Sequence, residues 1–79
     1  MAKRTKIKIY LSKNLRFLRE DYLEISQQKL SDKLKMKRCT YAKYENSNDI
    51  NEPSLVTLVK LSRFYKISID ILLTKNLKK

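Results

Sequence analysis

The residues best equipped for chemistry with another molecule lie close together between Lys35 and Lys43. Lys35, Lys37, Arg38 and Lys43 stand there beside Cys39 and Thr40, with no acid among them. They belong to a longer stretch from Ser26 to Ser47, SQQKLSDKLKMKRCTYAKYENS, which reads as two short helices joined by a tight corner. In the first half, Leu30 and Leu34 share a face, with the small Ser31 beside them where another backbone can approach. In the second half, Tyr41 and Tyr44 share an inner face, joined more loosely by Met36, while Lys37, Arg38, Thr40 and Lys43 occupy the other side. A short helix with an apolar inner side and an outer side of cations and small hydrogen-bonding groups is chemically suited to a DNA major groove. The competing interpretation of the same residues is a solvated basic face.

Other chemistries are poorly served. The chain has no histidine and one cysteine, Cys39, so neither a Cys/His metal cluster, nor a histidine-based triad, nor an internal disulfide can form. Cys39 also lacks a second thiol or a histidine to activate it, and reads as a small residue without a redox role. Scattered carboxylates without a nucleophile–base pair argue against an enzyme, and no cofactor or metal is expected. No apolar run reaches the length of a membrane span or a signal-peptide core, which points to a soluble cytoplasmic protein with no membrane partner.

Charge says what the partner should be. Nineteen Lys+Arg against eight Asp+Glu give a net charge of +11, more than solubility requires in so small a chain. An anionic polymer or surface is the natural counterpart. The field is patterned: residues 1–16 carry cations and no acid, as do 35–44, whereas 45–59 carry acids only. Seventy-nine residues suffice for one domain, since a core of this size buries roughly 60% of the unfolded surface. With no glycine and one proline, phosphate-cradling loops and Asn-Gly hairpins are excluded, and helices joined by short polar turns remain.

Residues 1–10 form a basic start in which Lys6-Ile7-Lys8-Ile9 alternates like a short strand, and three readings stand: a disordered, solvated terminus, the commoner outcome for such segments; an arm for phosphates or the minor groove; or an edge strand for dimer contacts. Leu11, Leu15, Leu18 and Tyr22 then make a helical stripe with Phe17 at its margin, and Arg16 and Arg19 face outward toward water or phosphate. This helix should fray near Asp21 to Glu24, leaving Leu23 and Ile25 as buried anchors. Ser26 is suited to cap the second helix, although Lys29 stands where a capping box needs Glu or Gln. Gln27, in the first turn beside free backbone N–H donors, has the arrangement that grips a phosphate, or is simply a solvated glutamine. Lys35-Met36 makes the corner, where a left-handed backbone would favour glycine. A polar linker from Asn46 to Pro53, with Ile50 as its apolar anchor, leads to a fourth helix after Pro53-Ser54. Leu55, Val56, Leu58, Val59, Leu61, Phe64 and Tyr65 make that helix apolar nearly all round, predicting a central hub of the core. Ser68 caps a short fifth helix, Ile69 to Leu73, and residues 74–79 form a basic, frayed tail.

Together these segments resemble the phage repressor and Cro-like helix-turn-helix family, often called the XRE family, over about residues 11–73. The resemblance rests on Leu18-Arg19 in the first helix, on Ser26, Gln27, Leu30 and Ser31 in the second, and on Tyr44-Glu45-Asn46 closing the third. Pro53-Ser54 before the fourth helix and Ile67-Ser68-Ile69-Asp70 at the fifth complete the order. Three departures stand out: Lys35 replaces the corner glycine, Ser47 replaces the turn glycine, and the linkers before Ser26 and Pro53 are each about one residue longer than the common pattern.

The resemblance implies an all-α, five-helix, lambda-repressor-like DNA-binding domain, with the third helix, about Lys37 to Tyr44, in the major groove. It implies that Arg38, Cys39 and Lys43 point toward base edges, with Thr40 close by, and that Gln27, Lys37 and Asn46 position phosphates. The expected activity is sequence-specific binding of double-stranded DNA as a transcriptional regulator, a repressor acting as a homodimer on a pseudo-palindromic operator. The fifth helix and the N-terminal arm are the candidate dimer surfaces, and no domain for a small-molecule effector is expected. Two alternatives stay open: an antitoxin-type interaction module that autoregulates its operon, for which the tail is too short to wrap a toxin, and a nonspecific nucleic-acid binder.

Overall fold

The computed structural model describes residues 6–49 and 51–77, and among them the secondary structure is entirely helical. Helix α1 spans Lys6–Phe17 and continues as a π-helical segment over Leu18–Leu23; α2 is Gln27–Leu34, α3 Arg38–Glu45, α4 Leu55–Tyr65 and α5 Ile69–Thr74. Three starts are set by serine. Ser26, Ser54 and Ser68 lie in extended backbone, and their hydroxyls accept from the amides of Lys29 (3.1 Å), Thr57 (3.2 Å) and Ile71 (3.2 Å). Each such cap is worth about 1 kcal/mol. Three ends are set by a left-handed residue, Glu24 (φ 56°), Lys35 (φ 58°) and Lys66 (φ 59°), in a chain without glycine. At Lys35 the turn is closed by Met36 N donating to Ser31 O at 3.0 Å, so the corner between α2 and α3 keeps its geometry despite a Cβ in the left-handed region. Ser47 needs no such freedom, because its φ is not positive.

Helix α1 is the hub. It packs against α3 on one flank and α5 on the other, while α2 lies on α3 and α4 rests on α5 and α2. Leu11, Leu15 and Leu18 of α1 and its continuation meet Leu30, Leu34, Tyr41, Tyr44, Leu61 and Leu72 in the core. The expectation that α4 is central is corrected: it buries Leu61 alone, while Leu55 and Val56 are 72% and 68% exposed and Phe64 is also open. Its apolar count is high, but only one side has a neighbour.

Four further expectations give way to specific contacts. Lys6 to Ile9 are not a strand but the first residues of α1, because helical spacing puts Lys8 above Ser12 and carries its ammonium to α3; residues 1–5 of the expected arm lie outside the described residues, as does Ile50. Tyr22 does not extend the apolar stripe and is 70% exposed. A π turn holds about one residue more than an α turn, so Leu23, five positions after Leu18, packs on the core instead. Arg19 does not face outward but is buried against Glu45. Finally, the segment after α5 is held to the body as far as Leu77: Asn14, fully buried, donates to Leu72 O (2.8 Å) and Lys75 O (2.6 Å) and accepts from Leu77 N (3.0 Å).

Candidate nucleic-acid interface

Helix α3 has two unlike sides, and the sequence dictates which is which. Tyr41, Tyr44 and Glu45 are buried, whereas Arg38, Cys39 and Lys43 are exposed and Thr40 and Ala42 half-buried. Successive helical residues turn by about 100°, which puts Arg38, Cys39, Ala42 and Lys43 on one strip and Thr40 at its flank. Lys37 immediately precedes the helix in extended backbone and is exposed. Eight residues of α3 are about 12 Å long, short enough for the whole strip to lie against one stretch of groove.

The buried side is fixed by charge. Arg19 Nε donates to Glu45 Oε2 at 2.7 Å and Nη2 to Glu45 Oε1 at 3.0 Å, a two-point pairing of guanidinium and carboxylate. Arg19 Nη1 also donates to Ile25 O at 2.9 Å, tying the turn before α2 into the same cluster. Burial alone would raise the Glu45 carboxyl, but hydrogen bonds from Arg19 and Gln27, with the guanidinium charge, overcome it and hold Glu45 below the usual carboxylate range. The opposite holds for Tyr41 and Tyr65, whose hydroxyls are driven well above the ordinary tyrosine range, by burial first and then by the nearby Glu45 charge; the Tyr65 hydroxyl has no hydrogen-bond partner among the described residues, and the Tyr41 hydroxyl has none beyond the Glu45 carboxylate close beside it.

Gln27 is half-buried, its Nε2 donating to Glu45 Oε1 at 3.1 Å, so the last residue of α3 orients the first residue of α2. The Lys29 amide of this first turn is taken by the Ser26 cap, which leaves the amides of Gln27 and Gln28 without a partner inside the helix, as at any helix N-terminus. Asn46 is exposed, and its Oδ1 accepts from Asn48 N at 2.9 Å. Gln27 and Asn46 meet across Ala42 in a polar cleft of about 360 Å³, lined also by Arg16, Glu45, Ser47 and Asn48. The residues singled out from sequence thus divide between the exposed strip and its two ends: Lys37 and Arg38 at the start of α3 with Cys39 and Thr40 behind them, Lys43 at its end, and Gln27 with Asn46 at the cleft.

Sequence reasoning misses the residues behind this surface. Lys8 is 1% exposed. Burial pulls its ammonium below the usual lysine range, and Asp49 and Glu52 pull the other way. Arg19, Glu45 and Ala42 are not recognisable in advance as participants either. The pairing of Arg19 with Glu45 has a faint signal in Leu18-Arg19 and Tyr44-Glu45, and the spacing of Lys8 and Ser12 is another. Ala42 carries no chemical signal at all.

Among the described residues no group of three or more His, Cys, Asp or Glu is arranged to hold a metal, and no helix is long and apolar enough to cross a membrane. Comparison with known families gives a match to helix-turn-helix over residues 15–72, from within α1 to within α5. No curated protein and no solved structure matches the chain. The order of the helices, the corner at Lys35 and the family match agree, and the chain belongs to the Cro and repressor-like (XRE) helix-turn-helix family of DNA-binding domains.

Proposed function

We propose that the chain is a sequence-specific double-stranded DNA-binding transcription regulator of the cytoplasm, acting as a repressor, with α3 as its recognition helix in the major groove. The observation that carries this reading is the division of α3 itself: Arg38, Cys39 and Lys43 project from a helix whose other side is locked by Tyr41, Tyr44 and the Arg19–Glu45 pair. A guanidinium held at the start of a rigid helix can meet guanine O6 and N7 through two hydrogen bonds, worth about 1–3 kcal/mol of discrimination. Cys39 and Thr40 are small enough to let the backbone come close to base edges and thymine methyls. Lys43 reaches a base or a phosphate at the far end. Gln27, Lys37 and Asn46 act on phosphates, which fixes register without reading sequence.

A homodimer would place two such helices about 34 Å apart on a pseudo-palindromic site. The exposed Leu55, Val56 and Phe64 of α4 and Ile71 of α5 support this, as apolar surface that a second copy can cover. Selection of bound duplexes from a random pool tests the proposal. Enrichment of one short motif, repeated in inverted orientation, is the expected result. A pool that binds with steep salt dependence but returns no motif identifies a nonspecific nucleic-acid binder instead.

A further inference from the structure

We infer that Lys8 and Ser12 are positioning residues for sequence recognition: buried on α1, they hold the carbonyl end of α3 and so set where Lys43 and Asn46 stand against DNA. This rests on the reading of α3 as the recognition helix. Lys8 and Ser12 lie one helical turn apart, on the side of α1 turned to α3, with Arg19 further along the same side. Lys8 Nζ is 2.8 Å from Lys43 O, 3.0 Å from Asn46 O and 3.4 Å from Tyr44 O, and it also reaches Ser12 Oγ at 3.3 Å. Ser12 Oγ donates to Tyr44 O at 2.8 Å.

The last carbonyls of a helix carry the negative end of its dipole, so an ammonium among them is favourable; here Lys43 O also accepts from Asn46 N at 3.3 Å and Asn46 O from Asp49 N at 3.0 Å, and Lys8 adds a second donor to each. Here the carbonyls belong to residues at the DNA-facing end. Lys43 is gripped at its backbone by one residue while its own side chain points away to solvent, and Asn46 is gripped just before its turn. Lys8 is buried, so it cannot itself serve as a phosphate contact, although it lies in a basic stretch that invites that interpretation. Its charge is used inside the protein to aim a neighbouring helix.

The test compares the full chain with Lys8→Met and Ser12→Ala on the duplex selected by the wild type and on its single base-pair variants. Each affinity is corrected for the folded fraction from urea denaturation. Lys8→Met should lose about tenfold in affinity for the selected duplex, equivalent to one base contact. The lost discrimination should fall on the base pairs that Lys43→Ala also affects, while base pairs governed by Arg38 keep theirs and the salt slope is unchanged. Uniform loss on all duplexes with a salt slope shallower by about one would make Lys8 a phosphate contact and overturn the proposal. Unchanged affinity and preference per folded molecule would make Lys8 purely structural and overturn it equally. If Lys8→Met does not fold, Ser12→Ala decides by the same pattern at smaller size. If the wild type selects no motif, the recognition reading fails. Backbone amide shifts of the free protein then test the positioning separately: Lys8→Met or Ser12→Ala must displace Lys43 to Asn46 more than the rest of α3, and an even displacement along the helix would overturn it.

Discussion

Removing Arg19 is the perturbation whose cost follows most directly from the structure. Its guanidinium gives Glu45 two hydrogen bonds, at 2.7 and 3.0 Å, and gives Ile25 O a third at 2.9 Å. In Arg19→Ala the Glu45 carboxylate, with a side chain 3% exposed, keeps the neutral amide of Gln27 at 3.1 Å and the neutral hydroxyl of Tyr41 beside it, but no cation. Breaking a buried pair from one side costs about 3–5 kcal/mol, because a charge is left behind without its partner. A domain of this length is stable by only about 4–12 kcal/mol in total. Arg19→Ala therefore removes between a quarter and all of the stability. The Arg16–Glu20 pair supplies a control on the same stretch of helix: at 3.7 Å and with both side chains well exposed, its loss in Arg16→Ala should cost less than about 1 kcal/mol. Replacing both partners, as in Arg19→Met with Glu45→Leu, should restore much of what Arg19→Ala loses, since no charge remains buried. Urea denaturation followed by far-ultraviolet circular dichroism gives all four stabilities. The reasoning is refuted if Arg19→Ala costs no more than Arg16→Ala.

The same contacts set three smaller expectations. Because the folded protein holds the Glu45 carboxyl below its unfolded value near 4.5, the stability it contributes is complete above that pH and is lost as pH falls through the lower folded value. An acid titration of the urea midpoint should thus fall more steeply for the wild type than for Glu45→Gln. Ser26→Ala removes the hydroxyl that caps α2 and should cost about 1 kcal/mol by the same denaturation. Lys35→Gly relieves a left-handed side chain but frees the unfolded chain, and its net effect should be a stabilisation of no more than about 1 kcal/mol, whereas Lys35→Val should destabilise.

The features legible in the sequence are those encoded locally. Ser26, Ser54 and Ser68 mark helix starts because a hydroxyl two or three residues before an amide can cap it, and all three do. Tyr41 and Tyr44 point inward and Arg38 and Lys43 outward because helical spacing alone separates them. The failures have one main physical source, partners distant in sequence. A buried Lys8 is intelligible only once the carbonyls of residues 43–46 are beside it, and long charged side chains otherwise favour water. Arg19 goes to solvent on sequence grounds for the same reason, with Glu45 lying 26 residues away. Tyr22 is misplaced because a constant period of about 3.6 cannot foresee a π turn. For α4, apolar composition says that the helix is hydrophobic, not how many neighbours cover it.

The assignment of α3 stands or falls on whether Arg38 reads a base while Gln27 only holds the backbone. The direct measurement is the affinity of the wild type, Arg38→Ala and Gln27→Ala for a selected duplex and all its single base-pair variants at one fixed salt concentration. Arg38→Ala should erase about 1–3 kcal/mol of preference at one base pair and leave the others intact, while Gln27→Ala should weaken every duplex by a similar factor. Equal losses from both substitutions across all sequences would contradict the assignment of α3 as the reading element.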